Sequence, residues 1–296
     1  ITSAVLHIPK VKREHKIDYL GAILMVAATV SILLTVSIYG PEHGWLDSRT
    51  IAYFFAGIVL VILFIYWESK AQEPILPLEL FKNHTFTVTS ILGAVIGAGM
   101  FGAIVMLPLY LQVVKGASAT EAGLKLIPLM LGIVSTSIYS GKAISKSGKY
   151  KKFPVMGTTL MTVGILLMVT LTRETPFWQL SIFAILVGAG LGLSMQTIVI
   201  ALQNAVDFKD LGVATSSNTF FRSLGSVFGT ALFGSILTSR VAHYLQSGFT
   251  ELAATNPAAV SGFDPEKLKQ LSSNTSVLKD LPVAVQNTAL DAFVNS

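Results

Sequence analysis

The sequence contains no cysteine among its 296 residues, which excludes a disulfide framework, a thiolate metal site and a thiol nucleophile. Charge is also scarce: 12% of residues are Asp, Glu, Lys or Arg, against roughly a quarter in soluble domains. Histidine occurs only at His7, His15, His43, His84 and His243, all outside the long apolar runs. No Asp or Glu lies well inside one of those runs. A membrane metalloenzyme or intramembrane protease needs such groups facing one another in the bilayer, so the chain reads as no enzyme, without catalytic residues, metal site or cofactor. A leader with a charged start, short apolar core and small-residue cleavage site is also missing. The chain opens at Ile1 rather than Met and reads as a piece of a longer protein.

What is abundant is apolar surface. Hydrophobic residues make up 52% of the chain and the mean hydropathy is +0.66, which points to lipid as the solvent. The net charge of +5 does not indicate nucleic acid, because the basic residues cluster in short connections between apolar runs. A bilayer core of roughly 30 Å takes about 20 apolar residues as a helix. Seven segments satisfy this, from Tyr19 to Tyr39, Thr50 to Trp67, Phe86 to Val114, Ala122 to Ser140, Pro154 to Thr172, Phe177 to Gln203 and Ala214 to Ser239. The fold class expected is all-α, a polytopic membrane helix bundle. Lys10, Lys12, Arg13, Lys16, Lys70, Lys82, Lys142, Lys146, Lys149, Lys151, Lys152 and Lys209 fall on one side of the seven-span map, against Arg49, Lys115 and Arg173 on the other. The positive-inside rule then places the amino end in the cytoplasm and the polar tail after Arg240 outside. Trp45, Trp67 and Trp178 lie at or beside span ends, the headgroup layer that indole rings prefer. In the tail, Asp264 and Pro265 read as the cap and first turn of a short helix.

Intramembrane charge is expensive and therefore a functional candidate. Arg222 is the one charge well inside a predicted span, sharing a helical stripe with Asn218, Gly225 and Gly229. Small residues at that spacing let helix backbones approach closely, so the stripe is expected to face protein; the plainer reading has Arg222 snorkelling to the inner headgroups. In the sixth segment Gly188, Gly192, Gln196 and Gln203 fall on one face, as cavity lining or as interhelical hydrogen bonding. The glycines there are not a dinucleotide loop, because no strand precedes them. In the third, Gly93 and Gly97 form a small-residue pair, while Gly99, Met106 and Tyr110 lie near one face and Gln112 sits toward the outer end. Met and aromatic side chains suit loosely specified apolar ligands and equally suit an ordinary core.

Several stretches together resemble the fourteen-span drug:proton antiporters of the major facilitator superfamily, the EmrB/QacA type. These are Pro74 to Phe86 (PILPLELFKNHTF), Leu107 to Gly116 (LPLYLQVVKG) followed by Ala122, Gly123 and Pro128, and Asp210 to Gly234 with Gly212, Phe221, Arg222, Gly225 and Gly229. The basic connection after Ser140 is similar to the superfamily's cytoplasmic loop motif at Gly141, Lys146, Gly148 and Lys149, with Ser145 where the motif has Asp. The missing carboxylate removes one partner of a charge-based gate.

The resemblance implies a partial major facilitator fold. Residues 1–18 would be a cytoplasmic segment, 19–68 two central linker helices, 69–85 a cytoplasmic connection, 86–239 five of six carboxyl-terminal-bundle helices, and 240–296 an extracytoplasmic loop before a missing last span. It further implies alternating access in the plasma membrane, with proton entry driving export of amphipathic or cationic compounds. Partners would be the lipid bilayer, substrate and protons, with no nucleic acid; a periplasmic adaptor is left open. No buried carboxylate is expected here, so the coupling acid would lie in an absent amino-terminal half. Tyr110, Gln112, Gln196, Asn218, Phe221 and Arg222 are the expected substrate wall or inner gate, with Gly93, Gly97, Gly188, Gly192, Gly225 and Gly229 as packing glycines. An exporter of one metabolite, lipid or siderophore would use the same scaffold, and a non-transporting membrane scaffold is the reading of a different class.

Overall fold

A computed structural model describes residues 18–255 and 283–295. Asp18 opens the first helix, α1 (Tyr19–Leu34), by accepting the Gly21 amide at Oδ1 (2.9 Å), satisfying a donor the first turn leaves free. The helix widens into a π-helical turn, Thr35–Tyr39, and a single turn, Gly40–His43, before Gly44 reverses the chain at φ 93°. Asp47 caps α2 (Ser48–Glu68), and α1 and α2 pack as a hairpin. Gly57 sits against Ile32, the Ser31 hydroxyl donates to the Tyr53 carbonyl (2.9 Å), and Tyr39 stacks on Tyr53.

Asn83 caps α3 (His84–Phe101) through Oδ1 and donates from Nδ2 to the Ala205 carbonyl (2.6 Å), tying this helix start to the segment beyond the sixth span. A π-helical turn, Gly102–Met106, joins α3 to α4 (Leu107–Val113). Pro108 has no amide to complete the ladder, and the widened turn absorbs that break without ending the rod. Ser118 and Glu121 form a capping box for α5 (Ala119–Leu124), and Pro128 sits in the first turn of α6 (Ile127–Ser147). The chain continues through α7 (Lys152–Met168), α8 (Phe177–Gln203), α9 (Leu211–Thr255) and α10 (Val283–Asn295).

Six helices among the described residues are long and apolar enough to cross a membrane. The remaining expected span, Pro154 to Thr172, is the shorter α7, because its carboxyl end tightens after Met168: the amides of Val169, Thr170 and Leu171 bond three residues back rather than four. Two further expectations are corrected. The basic stretch Gly141–Ser147 is not a loop but the last two turns of α6; the turn comes at Gly148, whose φ of 66° is open to glycine at little cost. The tail from Arg240 is helical through Thr255 as one piece with the seventh span, and residues 283–295 form another helix. Val241, Leu245, Phe249 and Leu252 recur at helical spacing, and the first three are buried against Val285, Ala289 and Ala292 of α10. The short helix expected at Asp264 and Pro265 lies outside the described residues.

Lipid tails are as apolar as leucine, so helix association inside a membrane depends on close packing rather than on expelling water. The centre of the fold is α8, buried along most of its length between α6 and α7. Gly188 and Gly192 meet the backbone of α6 at Leu129 and Ile133, and Gly190 meets α7 at Gly157. The second tight pair is α3 with α9. The α1–α2 hairpin leans on the amino-terminal half of α9 and leaves a space between them.

Candidate functional site

Three stripes of different chemistry run along the membrane part of α9. The first packs on α3: Gly93 faces Asn218, Gly97 faces the backbone of Arg222, Gly229 faces Ala98, and a methyl on Gly225 would overlap the Ala94 carbonyl. Asn218 is 4% exposed and donates from Nδ2 to the Thr89 carbonyl (2.9 Å), so its burial carries no unmet donor on that side. The second stripe, Phe220, Phe221, Leu224 and Phe228, turns toward the hairpin and walls an apolar cavity of about 400 Å³. Phe81 stands edge-on to Phe221 (5.9 Å) and to Phe86 (5.0 Å). The third stripe, Ser216, Thr219, Ser223 and Thr230, is exposed. Ser216, Thr219 and Thr230 spend their hydroxyl protons on carbonyls of their own helix, leaving oxygens that accept from outside. Sequence reasoning passed over this stripe, although its spacing of three, four and seven residues is a helical signal.

The six expected wall residues do not form one wall. Arg222 is half-buried and shares with Asn218 a narrow slot between α3, α8 and α9, beside Gly93 and Ile198. Among the described residues no carboxylate pairs with it. Phe221 lies on the apolar cavity instead. Tyr110 lines a different space of about 600 Å³ toward the opposite end, with Met168, Leu237, Arg240 and Phe293, and its hydroxyl donates to the Thr172 carbonyl (2.7 Å). Gln112 and Gln196 are exposed, the first donating weakly to Pro108 of its own helix and the second lying alongside Gly141.

Near Tyr110 the short connections are tied by cations. Lys115 donates to the carbonyls of Arg173 and Thr175, the latter at 2.8 Å. Burial, then the charge of Lys125, lowers its ammonium from the usual lysine range. Arg173 reaches α10, bonding Asp291 (3.1 Å) and Asn287 (3.0 Å). In the motif stretch at the other end, Ser145, Lys146, Gly148 and Lys149 are exposed and Gly141 is half-buried. Lys146 sits in the last turn of α6, where a cation complements the helix dipole.

One carboxyl group escaped sequence reasoning. Glu68, the last residue of α2, is 3% exposed, which corrects the expectation that the chain holds no buried carboxylate. Its Oε1 accepts the Leu76 amide (3.0 Å), and Oε2 has no partner. The connection folds back over the end of α2 and covers it, a non-local event that a hydropathy profile does not show. Among the described residues no three His, Asp or Glu side chains are placed to hold a metal ion.

The family profile described as Major Facilitator Superfamily matches residues 2–230. The chain belongs to that superfamily. Superfamily membership makes these helices part of a multi-pass membrane bundle. An uncharacterised MFS-type transporter of Mycobacterium tuberculosis is 38% identical over 273 residues, covering 92% of this chain and 39% of its own length. A multidrug transporter protein of Bacillus subtilis is 34% identical, covering 90% of this chain and 51% of its own. A tetracycline resistance determinant of Streptomyces rimosus is 32% identical, covering 94% and 84%. The chain thus spans about two fifths to one half of the first two superfamily relatives.

Proposed function

We propose that the chain serves in export of amphipathic or cationic compounds across the plasma membrane, by proton antiport and alternating access, with its amino end cytoplasmic and the outer part of α9 extracytoplasmic. The observation that carries this reading is the aromatic cavity between the hairpin and α9. A space of about 400 Å³ falls in the range that holds drug-sized ligands, and its walls are almost wholly apolar. Phe81, Phe220, Phe221 and Phe228 offer ring faces that attract organic cations without requiring a fixed hydrogen-bond pattern, which suits a loosely specified amphipath.

The names of the Bacillus and Streptomyces relatives support the same direction. Energy comes from the proton gradient, with no cofactor. Asn218 and Arg222, in the slot beside the cavity, act as inner gate residues, and the exposed hydroxyl stripe of α9 presents acceptors along a polar path. Export is tested in a host stripped of its own efflux pumps and challenged with aromatic dyes and quaternary amines. Phe221→Ala, at normal expression, is expected to lower resistance to bulky aromatic cations most. Unchanged resistance in Phe221→Ala and in the double variant with Phe228→Ala would remove the cavity from the route.

A further inference from the structure

The base of the α1–α2 hairpin holds two carboxyl groups in opposite settings. Asp18 stands at the amino end of α1, and its Oδ1 accepts both the Gly21 amide (2.9 Å) and the Trp67 indole N–H (2.8 Å). Glu68 ends α2, where the helix dipole presents negative charge. It receives one amide at Oε1, from Leu76, and its Oε2 is buried with no donor. Asp18 is thus bonded to the residue next to Glu68, and its own Oδ2 is also buried without a partner. No cation offsets the pair among the described residues. Lys70 is committed to Tyr66, lying over its ring and bonded to its hydroxyl; Glu79 and Lys82 pair with each other at the surface; and Glu73, on the connection, has an interaction of its own. Two adjacent carboxylates stripped of water on one side each cannot both stay ionised cheaply. Glu68, with one donor, at a helix carboxyl end and with Oε2 buried, is the group this setting disposes to carry the proton.

We propose that Glu68 is a proton-binding site, and that its proton, by removing the repulsion from Asp18 and the cost of burying Oε2 as an anion, lets the connection stay seated on the base of the hairpin, where the Leu76 amide donates to Oε1. Leu76 is buried and also lines the aromatic cavity, so this seating controls one wall of that space. Loss of the proton to the adjoining aqueous phase leaves an anion beside Asp18, which draws water into the base and lets the connection swing out. The inference concerns protonation and local structure, and stands whether or not the cavity carries exported compounds.

Trp67 reports on the site directly, because its indole N–H is bonded to Asp18. In the full-length protein in lipid nanodiscs, with Trp67 as the only tryptophan, emission is expected to titrate in one step. Glu68→Gln, which mimics the protonated acid, holds the low-pH signal at every pH, and its infrared spectrum lacks one protonated carboxylic band present in the parent. Asp18→Asn moves the step to lower pH, since Glu68 then ionises without a neighbouring charge. A parent that shows no step, or a Glu68→Gln protein that titrates like the parent, overturns the proposal. Titration without export would leave this site standing and sink the export reading, and export without titration would do the reverse.

Discussion

Single atoms decide most at the α3–α9 seam. A methyl on Gly225 has nowhere to go but into the Ala94 carbonyl, so Gly225→Ala is expected to destabilise the protein by roughly 1–3 kcal/mol through overpacking, read as a lower thermal midpoint in detergent. Asn218→Ala removes the bond to Thr89 and is expected to cost about 1–2 kcal/mol. Thr219→Ala, one residue on but turned outward, should stay within about 0.5 kcal/mol; if the third stripe lines the path it still slows efflux in vesicles. These three neighbours separate packing from transport. The spacing of Asn218 and Gly225 was legible from the sequence, because glycine and asparagine recurring at three and four residues mark one helical face whatever lies opposite. The partner was not legible. That Gly93 meets Asn218 and Gly97 meets Arg222 depends on the register of two rods, which side-chain periodicity alone does not set.

The elements show where reading by hydropathy ends. Apolar runs placed the spans because each must hide its own backbone polar groups in lipid. Beyond Arg240 the pattern changes to one apolar stripe on a polar rod, and it is satisfied by α10. Average polarity masks such a stripe, although Val241, Leu245 and Phe249 display it. Leu245→Ala should therefore cost about 2–5 kcal/mol locally and release α10, seen as faster amide exchange over residues 283–295 while α8 is unchanged. Arg173→Ala, which removes an exposed pair, should cost no more than about 1 kcal/mol in the same measurement. Lys115 gives a pH signature. Its folded-state ammonium is disfavoured, so the proton is lost more readily folded than unfolded, and the neutral amine can still donate to both carbonyls. The connections around it should gain stability as pH rises through its lowered value toward the usual lysine range, and Lys115→Met should abolish that slope.

For the molecule as a whole, one helix joins four regions of interest: the Arg222 slot, the aromatic cavity, the space beside Tyr110 and the α10 contact all touch α9. The expected wall of six residues was dispersed because sequence distance along separate spans says nothing about which ends of the bundle they occupy. What the fold supplies instead is mechanical. At 1.5 Å per residue, the 45 residues of α9 make a rod of about 68 Å, more than twice the thickness of a hydrocarbon core. With Gly225 as the fulcrum, a tilt of about 10° would sweep the tip at Thr255 through roughly 8 Å, carrying α10 with it. A small tilt within the bilayer would thus be geared up into a displacement at the far tip large enough to track with paired spin labels.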